Sequence, residues 1–134
     1  MAEFDYAFLA DYAAIADGKL TAVGASFTHV YVPHLPAGID FAVAGRVRVL
    51  EGEDPPELEL RFHTTKSDER ISVSGILEQS PTSIPYNGKV GVLFTLKAGV
   101  NVEHEELVEV DILLNGQSVR RLAFEVRGPA ETTE

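Results

Sequence analysis

The residues able to do chemistry are few and scattered. His29, His34, His63 and His104 are separated widely along the chain, and the sequence holds no cysteine. A thiolate metal site, a nucleophilic thiol and a disulfide framework are therefore excluded. Imidazole metal binding would need two histidines on neighbouring elements, and His29 and His63, both in strand-like segments, are the pair to watch. The ordinary reading of a lone strand histidine is a packed or solvated side chain. Acids gather in three places: Glu51, Glu53 and Asp54; Asp68 and Glu69; and Glu103, Glu105 and Glu106. Calcium would need several such oxygens to converge, and none of these clusters has the spacing of an EF-hand loop. Glycoside hydrolysis would need two carboxylates facing each other across a cleft, of which the sequence shows no sign. Phosphate-binding glycine loops, paired helical histidines and a Gly-x-Ser-x-Gly elbow do not occur. No cofactor is expected.

The tyrosines suggest recognition instead. Phe4, Tyr6, Phe8 and Tyr12 form an aromatic stripe at period two, and its ordinary reading is core packing. The alternative places Tyr6 and Tyr12, with Tyr31 and Tyr86, at the surface, where a flat apolar ring with a hydroxyl suits contact with protein or sugar. If the first strand lies at a sheet edge, it would also offer a place to pair with a second copy.

Alternation of apolar and polar residues governs the elements that must position these groups. Eight strands are expected, at 4–12, 19–32, 39–49, 57–62, 70–77, 89–97, 107–114 and 117–126. Ala10 to Ala16 has helix-forming composition as a second possibility. Gly24 interrupts the second strand and suggests a bulge or a close backbone approach. Pairing Val49 with Leu58 and Val47 with Leu60 aligns two apolar faces and sets Arg48 against Glu59, so the third and fourth strands read as a hairpin. Across Asn115-Gly116, a turn with one extra residue sets Val110 opposite Leu122, Val108 opposite Phe124 and Asp111 opposite Arg121. The whole reads as one all-β domain over 1–127, an antiparallel β-sandwich whose Ig-like, Greek-key or jelly-roll order is undetermined. Residues 128–134 are expected to form a flexible tail.

Ala10-Asp11-Tyr12-Ala13, Gly18-Lys19-Leu20 and Val23-Gly24-Ala25 before a proline loop, with the closing Leu114-Asn115-Gly116 hairpin, resemble an uncharacterised family of small bacterial proteins. That resemblance implies a compact β-sandwich of unknown function and carries no site residue with it.

Composition bounds the rest. A chain of 134 residues, 45% of them apolar, is long enough to bury roughly two thirds of its unfolded surface. Its formal charge of −10 repels phosphate backbones, so nucleic acid is not an expected partner. No apolar run approaches a membrane span, and the acidic start lacks the pattern of a signal peptide. A cytoplasmic location is expected. The reading favoured by the sequence is a non-catalytic interaction module in a homo-oligomer or a bacterial protein assembly. The alternative is a sandwich binding carbohydrate or calcium, and further off a carboxylate hydrolase.

Overall fold

The computed structural model describes residues 2–129, so most of the expected tail lies outside the described residues. Ten strands follow one another: β1 (Glu3–Ala10), β2 (Tyr12–Ala16), β3 (Lys19–Val23), β4 (His29–Tyr31), β5 (Ala37–Val49), β6 (Glu57–Thr64), β7 (Arg70–Ile76), β8 (Val90–Val102), β9 (Glu106–Leu114) and β10 (Gln117–Arg127). The all-β expectation holds. The strands form a three-stranded sheet in the order β1-β5-β8, a five-stranded sheet in the order β4-β10-β9-β6-β7, and a two-stranded ribbon of β2 and β3. Every pairing is antiparallel except that of β4 with β10.

Period-two alternation turns one face of each larger sheet into a shared core. Ile39, Phe41, Val43, Val47 and Val49 of β5 and Val90, Val92 and Phe94 of β8 belong to the same buried cluster as Leu58, Leu60 and Phe62 of β6 and Val108, Val110 and Ile112 of β9. Phe41 meets Phe62 and Phe124 edge to face, with ring centres 5.8 and 5.2 Å apart. Such contacts across the two inner faces are what sheet-on-sheet packing requires.

Four sequence expectations are corrected. The first strand breaks at Asp11, and the second divides around Gly24, which accounts for ten strands in place of eight. Ala10 to Ala16 is extended and not helical, because Tyr12–Ala16 pairs with Lys19–Val23 through a two-residue turn at Asp17-Gly18. Both turn residues have positive φ, 52° and 69°, as a type I′ hairpin demands. The proposed hairpin of β5 with β6 does not form. β5 pairs with β1 and β8, β6 pairs with β7 and β9, and the proline-bearing connection carries the chain from one sheet to the other. Arg48 consequently lies opposite Glu3 and Gly91 rather than Glu59.

The last hairpin has the expected register, with Val110 opposite Leu122, Val108 opposite Phe124 and Asp111 opposite Arg121. Its extra residue, however, sits inside the strand. Asn115 and Gly116, with φ of 51° and 80°, make a plain two-residue turn that leaves Gln117 opposite Leu114. The register shifts between Ser118 and Arg120, and the bulged Val119 packs against the core.

Candidate functional site

The outer face of the three-stranded sheet carries the richest side-chain constellation. Even-numbered residues of β5 point away from the core, which places Arg46 and Arg48 on that face beside Tyr6 of β1. Tyr6 reaches it through a register shift between Phe4 and Tyr6. Phe4, Ala7 and Leu9 turn to the core, while Tyr6 and Phe8 stack on each other outside it at 6.3 Å. The aromatic stripe is thus split between two faces, which corrects the single face expected from spacing.

Arg46 holds this cluster together. Its guanidinium lies 5.1 Å from the Tyr6 ring centre and 5.5 Å from that of Tyr86, and its Nε donates to Asp5 Oδ2 at 2.6 Å. Arg48 lies 4.7 Å from the Tyr86 ring centre and donates from Nη2 to the Asn87 carbonyl at 3.3 Å. Lys89 Nζ pairs with Glu3 Oε2 at 2.7 Å, and the hydrogen bond and charge of that ammonium hold the Glu3 carboxyl below its ordinary range. Gly91 lies beneath this cluster: a Cβ there would stand 3.2 Å from Arg46 Cδ and in ordinary contact with Tyr86 Cε1 at 3.6 Å. The loop after β7 brings up Ile84, which is 84% exposed, and Ile15 of the ribbon closes an adjoining groove floored by Leu93. Tyr86 itself is 44% exposed.

Of the four tyrosines singled out by sequence, the structure joins Tyr6 and Tyr86 through Arg46. Tyr12 opens the ribbon opposite Val23, and Tyr31, 77% exposed, lies on β4 of the other sheet, stacked on His29. Sequence reading missed Arg46, Arg48 and Ile84. The available signal was two arginines on alternate positions of an otherwise apolar strand.

A second cluster occupies the outer face of the five-stranded sheet. His63 Nε2 lies 3.5 Å from Asp111 Oδ2 and 3.8 Å from Glu109 Oε1, while Arg121 pairs with both acids at 2.6 and 3.0 Å. The hydrogen bond from Arg121 is the main reason the Asp111 carboxyl sits below its usual range. These groups satisfy one another. His29 and His63, offered as a metal pair, are separated by β10 and β9 and do not meet. Among the described residues no three histidines or acids are placed to hold one metal ion.

The acidic clusters serve their own loops. Glu53 accepts the Leu50 N–H at 2.8 Å. Glu106, buried at the start of β9, accepts the N–H groups of Lys66 and Ser67 at 2.8 and 3.1 Å and the Ser67 hydroxyl, while Glu105 accepts the Gly128 N–H.

These features describe an all-β protein with a cation–aromatic face on its smaller sheet. Residues 5–127 match the model of a family of unknown function, DUF6941, and the chain belongs to that family. No curated protein matches the chain. Two of the segments that carried the sequence resemblance, around Asp11 and around Gly24, meet in one place. Asp11 N–H donates to the Val23 carbonyl at 2.9 Å, and Gly24, at φ 63°, leaves room for the Asp11 carboxylate, which a Cβ would overlap. They form the hinge at which β1 gives way to the ribbon.

Proposed function

We propose that this chain is a non-catalytic interaction module that docks a protein partner on the outer face of its three-stranded sheet. The reading rests on Tyr86, half exposed beside the guanidinium groups of Arg46 and Arg48 and flanked by the almost fully exposed Ile84. Tyrosine, arginine and aliphatic anchors in one patch are the composition of protein-binding hot spots. Arg46 and Arg48 already lie against the Tyr86 ring, which leaves less of it for a sugar. Glu53 and Glu106, one acid from each of two loop clusters, accept backbone N–H groups of their own loops.

The test places a photo-crosslinking amino acid at position 84 in cells expressing the full chain. A single discrete protein adduct, lost when Tyr86→Ala is added, is expected. Absence of any adduct overturns the docking reading. Thermal-shift measurements with millimolar calcium and with oligosaccharides separate the alternative, because a ligand that binds the folded chain must raise its melting temperature. No shift is expected with either.

A further inference from the structure

The five-stranded sheet ends at β7, whose far side pairs with no strand among the described residues. The Leu77 N–H donates to the Pro56 carbonyl at 2.9 Å and the Glu69 carbonyl accepts from Thr64 at 3.0 Å, so odd-numbered residues turn their backbone groups toward β6. Arg70, Ser72, Ser74 and Ile76 therefore present N–H and C=O groups to the open edge. Natural edges are blunted by bulges, prolines, lysines or extreme shortness. β4 is three residues long and β1 carries an irregularity, whereas β7 has an uninterrupted register with β6 and none of those residues. Behind it an apolar slot, lined by Leu60, Val73, Ile76, Leu77, Phe94 and Leu96, separates β7 from β8.

We propose that β7 pairs antiparallel with β7 of a second copy about a two-fold axis at Ser74, joining two five-stranded sheets edge to edge. The sequence of this edge is self-complementary. With Ser74 opposite itself, Ile71 faces Leu77 of the partner subunit, and Ser72 faces Ile76 of the partner subunit. Val73 then faces Gly75 of the partner subunit. The even-numbered residues become the hydrogen-bonded pairs, as their outward backbone groups require. Ile71 and Leu77 already pack against the core, so apolar side chains meet on the inner face. Sliding the register by two residues keeps the faces but separates Ile71 from Leu77. This inference rests on the reading of the chain as an interaction module and names a second copy as one partner, on the opposite sheet from Tyr86.

The chain holds no cysteine, so Ser74→Cys introduces its sole thiol. Residues paired in this way have Cα atoms about 5.5 Å apart, within disulfide range. Oxidation of the full chain should convert Ser74→Cys to a covalent dimer and leave Ser118→Cys monomeric. Light scattering across a concentration series should show a dimer that Ser74→Pro abolishes, since proline there removes only an N–H that β6 does not use. A dimer that survives Ser74→Pro overturns this interface while leaving an interaction module intact. A monomer at every concentration overturns it too, and the position-84 adduct then decides separately whether the docking reading stands.

Discussion

The two outer faces of this molecule are built from the same period-two pattern and have opposite fates. On the three-stranded sheet, Ala42 and Ala44 of β5 point away from the core yet are as buried as the core itself. The ribbon of β2 and β3 accounts for this, because β2 lies against both β5 and β8. On the five-stranded sheet, the corresponding residues are Glu59, Arg61, His63, Glu109, Asp111 and Arg121, linked to one another in ion pairs, with the arginines exposed and the others half-buried. Small side chains on an outward face admit a covering element, and charged ones keep the face solvated. The covered face is also the one that gathers Tyr6, Tyr86 and their arginines at the margin of the cover.

Charging equivalent positions should separate the faces most sharply. Ala44→Glu would place a carboxylate at a site with no solvent exposure and no cation assigned to it, and should cost at least about 3 kcal/mol. Ala123→Lys, exposed on the other outer face opposite Glu109, should stay within about 0.5 kcal/mol of the parent. Urea denaturation of both variants measures the contrast. Equal costs would mean that the ribbon does not cover β5 in solution.

The cover is also where sequence reading fell short. The even positions of β5 were legible as a polar face through Asp40, Arg46 and Arg48, but Ala42 and Ala44 between them are equally at home under water or under a ribbon. The β5–β6 hairpin failed for a related reason. Two alternating strands joined by a short link bury the same apolar residues whether they pair in one sheet or cross between two, so alternation cannot distinguish them. The β9–β10 register was legible because the apolar faces demanded one extra residue, although its position was not. The candidate site was half legible. Tyr6 and Tyr86 were visible as types, but their meeting depends on the irregularity near Asp5, which spacing does not encode.

The open sheet has one exception to its rule of exposed charge. Glu106 stands on the inner-facing parity of β9 and is buried, and only its hydrogen bonds make that tolerable. Burial pushes its carboxyl up, but the Ser67 hydroxyl and the N–H groups of Lys66 and Ser67 outweigh burial and leave it below the ordinary glutamate range. A carboxyl with a lowered folded-state pKa stabilises the fold above its unfolded value, and that contribution fades as pH falls through the folded one. Glu106→Gln should cost about 1–3 kcal/mol at neutral pH. The gap from the parent should narrow below about pH 4, where the native carboxyl also becomes protonated. Denaturation curves at several pH values check both statements, and a gap independent of pH would show that its charge is not what holds the Ser67 loop.

Arg121→Ala tests the solvated ladder and should have the smallest effect. Arg121 is exposed, so solvent screening leaves its pairs with Asp111 and Glu109 worth little to stability. Its removal should nevertheless be visible in titration. Asp111 loses the guanidinium hydrogen bond that most lowers its pKa and keeps only His63, so its carboxyl should rise toward the ordinary aspartate value. Because a depressed carboxylate contributes stability only above its unfolded value, the difference between parent and variant should be present at pH 7 and shrink below about pH 4. It should also shrink in high salt, which the Ala44→Glu cost should not, since salt screens exposed charges far more than buried ones. A salt-insensitive loss of several kcal/mol at Arg121 would place it under cover and erase the contrast between the two faces.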